Sequence, residues 1–311
     1  MNTAITAGTC GASALDVSTR RLYLLPLDDR TTLPTKGFGQ NGIPSVEQSA
    51  QIAAARQLLY DGFKAAVAAG VRKENAGIVV DERFDALILR DAVARGYTVL
   101  YPLEKGGQDF AGYIEAFQPT LCRVRVRYNP SGDPALNQRQ APRLRQLSRY
   151  LHEKSQTKFM LELRVPPQRR QLEQVQGSTK AYQLWLRPRL IVEAIEQIQD
   201  AGVEPDVWNI EGLDQRADGE KIVAAARRNG RTKVACIVGA SGEDENSVRK
   251  WLTVAARVRG FIGFAVSHAD FSEALFCWRD KKMTRAEAVS WISARYRQLV
   301  NTFERTEPLA V

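Results

Sequence analysis

Cysteine is scarce and never paired along this chain. The four thiols, Cys10, Cys122, Cys236 and Cys277, lie far apart and form no C-x-x-C. That spacing argues against a zinc site and offers no disulfide framework. Cys122 and Cys236 fall inside apolar, strand-like runs and read as buried, reduced thiols. Long apolar runs are also missing. None approaches the roughly eighteen residues of a membrane-spanning helix, so no membrane partner is expected. Residues 1–20 are small and polar, without the basic and apolar blocks of a signal peptide. They read as a flexible tail, as do residues 306–311, and the protein is expected to be cytoplasmic. There is no internal linker and no low-complexity tract, so residues 21–305 are expected to form one domain.

What is present is ordinary in amount and informative in order. Hydrophobic residues make up 44% and charged residues 25% of 311 positions, enough for a full core. The net charge of +9 comes almost entirely from scattered arginines. No nucleic-acid motif accompanies them, so they read as a solvated basic surface and no nucleic-acid partner is expected. The alternative is that some arginines point inward and hold an anionic ligand.

Short β-branched runs alternate with longer helical patterns. Strands are predicted at 22–28, 76–81, 97–102, 121–127, 158–164, 206–211, 233–238 and 260–266. Helices are predicted at 46–69, 83–95, 141–154, 181–201, 219–229, 243–258 and 284–304. Ser45 with Gln48, and Thr284 with Glu287, have capping-box spacing. Eight strand–helix beats predict an α/β fold, a single-domain (β/α)8 TIM barrel. A doubly wound sheet is the runner-up, but no G-x-G-x-x-G follows the first strand.

Barrel enzymes keep their chemistry at the carboxyl ends of the strands. Those ends carry Asp28, Asp29 and Arg30; Asp81, Glu82 and Arg83; Glu104 and Lys105; Arg127; Glu162 and Arg164; Asn209 and Glu211; Ser267, His268 and Asp270. Alternation puts Arg123, Arg125 and Arg127 on one face of strand four, opposite Val124 and Val126. If the valines face the helices, the arginines line the interior. Buried guanidinium groups need buried carboxylates, and Asp28, Asp81, Glu162 and Glu211 are available. A structural salt-bridge network and a polar pocket for an anionic, oxygen-rich substrate both fit this pattern.

Several segments together resemble one family. They are Pro26-Leu27-Asp28-Asp29-Arg30, Val80-Asp81-Glu82-Arg83-Phe84, Glu104-Lys105 with Gly107-Gln108-Asp109, Val126-Arg127-Tyr128-Asn129-Pro130, Leu161-Glu162-Leu163-Arg164-Val165-Pro166, Asp206-Val207-Trp208-Asn209-Ile210-Glu211-Gly212 and Gly263-Phe264-Ala265-Val266. This is the 2-deoxy-5-keto-gluconate 6-phosphate aldolase domain of inositol catabolism, itself similar to tagatose 1,6-bisphosphate aldolase. The resemblance implies a (β/α)8 barrel and Schiff-base cleavage of a phosphorylated keto sugar, with no bound cofactor. It also implies roles for Asp28, which orients substrate, and for Glu162, which moves protons. The family's Schiff-base lysine on strand six falls on Asn209, whose amide nitrogen cannot form an iminium. Its strand-four lysine falls on Arg123, its strand-eight Gly-Arg on Ser267-His268, and its strand-seven Gly-Arg-Gly on Gly239-Ala240-Ser241-Gly242.

Four functions follow. One is enolate chemistry without a Schiff base. Here Glu162 is a general acid or base with a raised pKa, Asn209 donates to the substrate carbonyl, and Asp28 assists. Arg30, Asp81, Lys105, Arg123, Arg125, Arg127, Arg164, Glu211 and His268 then bind a small anionic carbonyl or sugar-derived substrate. A second function moves the Schiff base to Lys36 or Lys105. The third uses a metal held by Asp28, Asp29, Asp81, Glu82, Glu162, Glu211 or His268, although the excess of arginine argues against a bound cation. The fourth is a catalytically dead relative that binds a metabolite or partner. The helix faces leave a homo-oligomer open.

Overall fold

The computed structural model describes residues 20–27, 45–103, 110–240 and 244–305. Eight parallel strands close on themselves in sequence order. They are β1 (Leu22–Pro26), β2 (Ala76–Val79), β3 (Thr98–Pro102), β4 (Leu121–Arg127), β5 (Lys158–Arg164), β6 (Val207–Glu211), β7 (Ala235–Ala240) and β8 (Phe261–Val266). The last strand pairs with the first through Leu22–Gly263, Tyr23–Phe264 and Leu24–Ala265. This is the (β/α)8 barrel that the alternation predicts, with β4 and β5 at the predicted bounds.

The helices are α1 (Val46–Ala68), α2 (Glu82–Ala94), α3 (Phe110–Phe117), α4 (Pro134–Lys154), α5 (Arg169–Gln174), α6 (Thr179–Ala181), α7 (Arg187–Asp200), α8 (Arg216–Arg227), α9 (Glu245–Ala256), α10 (Ser272–Arg279) and α11 (Arg285–Glu304). Periodicity misses the short α3, α5 and α10. It also starts α4 late: Asp133 caps the helix through Ala135 N, and Pro134 fits the first turn, where no intrahelical donor is needed. The predicted helix 181–201 is broken into α6, a π-helical turn over Tyr182–Leu186, and α7. Pro188 has no N–H to continue the ladder, and the widened turn accommodates the loss.

Strand alternation sorts side chains into two apolar bodies. Leu24, Val79, Leu100, Leu121, Met160 and Val207 fill the lower barrel interior. Tyr23, Ile78, Cys122, Leu161, Trp208 and Phe264 belong to the larger layer between strands and helices. Helix α11 packs on α1, where Ile292 occupies the space that a side chain at Gly62 would take, and Tyr296 donates to the Tyr23 carbonyl at 2.8 Å. Both predicted capping boxes form, at Ser45 and Thr284. Thr284→Ala removes the acceptor for Glu287 N and is expected to lower stability by about 1 kcal/mol, read as a shift in the urea midpoint at constant slope.

Strand β8 departs from simple alternation. Cys236 pairs with Phe261, but Val238 pairs with Phe264, so β8 carries one extra residue. This bulge puts both Ile262 and Ala265 in the interior body, while Phe261, Phe264 and Val266 face the helices. Gly263 lies at the bulge, against the Leu22 carbonyl.

Candidate active site

Above the apolar plug, the carboxyl ends of β4, β5 and β6 turn polar. In register, Arg125 pairs with Glu162 and Glu162 with Asn209. Glu162 is only 2% exposed. Arg125 Nε donates to its Oε1 at 2.9 Å, and Arg164 Nε and Nη2 reach the same oxygen at 3.1 and 2.9 Å. Arg123 Nε lies 3.4 Å from Oε2. Burial alone raises the pKa of this carboxyl. The charges of Arg123, Arg164 and Arg125, with the Arg125 hydrogen bond, outweigh burial and hold it at about 2.

That value corrects the sequence reading. Met160 and Leu161 flank Glu162 and suggest a raised pKa. Leu161, however, faces the helices, and Met160 lies in the apolar plug below. What surrounds the carboxylate is guanidinium. Glu162 is an ionised acceptor near neutral pH, not a reservoir of protons.

A second carboxylate extends the network. Glu211 Oε1 lies 3.6 Å from Arg164 Nη1 and 3.6 Å from Arg187 Nη1, and its Oε2 accepts from Val165 N at 2.9 Å. Arg187 also donates to the Gly212 carbonyl at 2.6 Å. Sequence reasoning misses Arg187. It sits at the start of a helix, where nothing in the spacing distinguishes it from a surface arginine, and the broken helix swings it inward to 6% exposure.

Asn209 is 4% exposed, and among the described residues its Oδ1, itself buried, has no hydrogen-bond partner. The amide leans toward β7, where a Cβ built on Gly239 would lie 2.6 Å from that oxygen. Asp81 is buried at the end of β2, on the face of Gly77 and Val79 by alternation.

The remaining predicted positions separate. Arg127 is exposed at the rim, and its side chain joins no ion pair among the described residues. Asp28, Asp29, Arg30, Lys36, Glu104 and Lys105 lie outside the described residues, as do the side chains of Glu82 and His268. Lys158 is at the opposite end of the barrel, 3.4 Å from Asp206 Oδ1. Among the described residues, no group of three or more His, Cys, Asp or Glu side chains is placed to hold a metal ion.

The loops above β4 and β5 are braced by Asn129. Its Nδ2 donates to the Pro166 carbonyl and to Gln171 Oε1, both at 2.8 Å, and its Oδ1 accepts from Ser131 N at 2.9 Å. At β8, Asp270 Oδ2 accepts from Ser267 N at 3.0 Å, and burial pushes the Asp270 carboxyl up to about 6 despite Arg295 nearby.

Residues 21–307 match a family described as an uncharacterized protein conserved in bacteria (DUF2090). The chain belongs to that family. A comparison with curated proteins gives no match. The match spans every strand of the barrel, so the polar mouth sits inside the family's own domain. Among the described residues, no helix is long and apolar enough to cross a membrane.

Proposed function

We propose that the protein is a divergent aldolase-like enzyme that handles an anionic, oxygen-rich carbonyl compound through an enolate, without a Schiff base at the strand-six position. The resemblance to the deoxy-keto-gluconate phosphate aldolases supplies the reaction class. The observation that carries the reading is the cluster of Arg123, Arg125, Arg164 and Arg187 around Glu162 and Glu211, beside a buried amide at Asn209.

In this reading the arginines attract the substrate's anionic group and the charge that develops on the enolate oxygen. Glu162 and Glu211 hold the guanidinium planes in place before substrate arrives, so little reorganisation is needed. Asn209 Nδ2 donates to the substrate carbonyl. Asp81 and Asp28 are the carboxylates assigned to proton transfer. In cleavage, one of them takes the proton of the hydroxyl on the carbon to be released. The carbon–carbon bond breaks, its electron pair enters the enolate, and the same proton returns to carbon.

A second reading is a relative that binds a metabolite without turning it over. The observation favouring it is that Glu162 and Glu211 are both engaged by arginine, so neither is a free proton acceptor.

Incubation with keto acids and keto sugars, with and without phosphate, followed by borohydride and intact mass measurement, tests the absence of an iminium. The expected result is no adduct on this protein while a lysine-bearing aldolase is trapped in parallel. Product formation is followed by proton NMR on the same panel. An adduct mapping to Lys36 or Lys105 overturns the proposal. Absence of turnover combined with ligand-induced thermal stabilisation selects the second reading.

A further inference from the structure

Outside the ring of strands lies a separate cleft of about 460 Å³. The loop after β5 and helix α5 form one wall, the start of α7 forms the other, and Ser131 of the loop after β4 completes the lining. Arg169, Arg170 and Arg189 line it, and among the described residues no carboxylate does. Its walls are pinned in place. Gln171, at 8% exposure, exchanges hydrogen bonds of 2.8 and 3.3 Å with the Asn129 amide, and its Oε1 also accepts from Gln168 N at 2.9 Å. The Tyr182 hydroxyl, in the π-helical turn before α7, donates to the Val165 carbonyl at 2.9 Å and ties the second wall to the first. The arginines, in contrast, are loosely held. Arg169 and Arg189 pair with Glu173 and Glu193 one helical turn on, at 2.9 and 3.3 Å, but both pairs face solvent, where an ion pair contributes little. Arg170 joins no ion pair among the described residues. Three like charges on one concave surface repel one another, and an anion placed between them relieves that repulsion.

We infer that this cleft binds an organic phosphate, at a site separate from the mouth of the barrel. Guanidinium groups present paired N–H donors that match the spacing of phosphoryl oxygens. A phosphate monoester carries a charge of about −1.5 to −2 near neutral pH, which suits three arginines better than the single charge of a carboxylate. The Ser131 hydroxyl and the Gln168 amide are neutral groups able to donate to the remaining oxygens. Leu186 and Leu190 give the cleft an apolar side for the carbon frame of the ester. The volume is that of a small-molecule pocket, roughly 300–1,000 Å³, and leaves room for more than a bare phosphate ion. None of this depends on the aldolase-like reading of the mouth.

The test is calorimetric titration of the full chain with phenyl phosphate, inorganic phosphate and benzoate at low ionic strength. Phenyl phosphate, which has both the phosphoryl group and an apolar frame, is expected to bind most tightly. Arg170→Ala combined with Arg189→Ala is expected to weaken it about tenfold or more. The thermal midpoint should not move, because both side chains are exposed. Arg249→Ala with Arg257→Ala removes the same charge from the exposed face of α9 and is expected to change the affinity by about twofold at most. An equal loss in the two double variants shows only a general attraction to a basic protein and overturns the site. Undiminished binding in the cleft variant places the anion elsewhere and also overturns it. Benzoate or inorganic phosphate binding as tightly as phenyl phosphate overturns the ligand class, and no binding of phenyl phosphate to the wild-type protein overturns the whole inference. The borohydride experiment on the mouth is unaffected by any of these results.

Discussion

Glu162→Gln is expected to destabilise the folded protein by about 3–5 kcal/mol, whatever it does to activity. The substitution is nearly isosteric, so packing changes little. What it removes is the single negative charge on which Arg123, Arg125 and Arg164 converge, at a residue 2% exposed. Removing one partner of a buried ionic cluster takes compensation away from the charges that remain, most of all from Arg123, whose side chain is 3% exposed. Adding Arg125→Met to Glu162→Gln should recover part of the loss, a coupling that a double-mutant cycle in urea measures directly. The same carboxylate sets an acid limit. Its folded pKa, about 2, is below its ordinary value of 4.5. Its stabilising contribution is therefore complete above about pH 4.5 and lost as pH falls toward 2, amounting to about 3 kcal/mol. Wild-type protein should show this extra acid sensitivity and Glu162→Gln should not. Equal stability of the two at pH 7 would show that the arginines do not depend on Glu162.

Gly263→Ala should be more damaging still, with most of the protein failing to fold. A Cβ at this position would lie 1.9 Å from the Leu22 carbonyl oxygen and 2.6 Å from its carbon. These are backbone atoms of β1, which pairs with β8 to close the barrel. No rotamer change relieves the contact, so the two strands must part or the bulge must rearrange. Either outcome exceeds the usual range of single substitutions, above about 4 kcal/mol. Gly230→Ala is the control. Gly230 has φ +82° but no atom near its would-be Cβ, so only backbone strain of roughly 1 kcal/mol is expected. Soluble yield and thermal midpoint of the two variants separate steric closure of the barrel from the cost of a left-handed residue. A soluble Gly263→Ala protein with a near-native midpoint would mean that the seam can shift.

The two substitutions bear on function through one feature. The extra residue in β8 re-aims the end of that strand, and the guanidinium cluster ties the ends of β4, β5 and β6 together. In both cases the mouth of the barrel is held by interactions that tolerate little change, which is the condition for preorganised recognition of an anion.

The order and type of most elements were legible because a parallel strand buried on both faces leaves a short β-branched run, and every crossover helix longer than the eight-residue α3 leaves a longer periodic one. Alternation along β4 put Arg123, Arg125 and Arg127 on one face and offered Glu162 among four candidate carboxylates, since the period of two is fixed by the pleat; Arg123 and Arg125 do meet Glu162. It could not say how far each reaches. Arg123 is buried, the Arg125 side chain is 38% exposed, and Arg127 stands at the rim, because depth in the barrel depends on strand stagger and loop cover. The state of Glu162 was misread for the same reason. Its sequence neighbours are apolar, but its spatial neighbours are three arginines from β4 and β5. Arg187 was invisible because it enters from a helix broken by a π turn. The bulge at Gly263 was hidden because one inserted residue alters facing without altering composition. The sequence by itself determined the barrel, the strand ends and the residue types available there, since these follow from local periodicity. Only the tertiary structure decided which charges meet, which amide stays unsatisfied and what the pKa of Glu162 is, because those depend on distances between residues far apart in the chain.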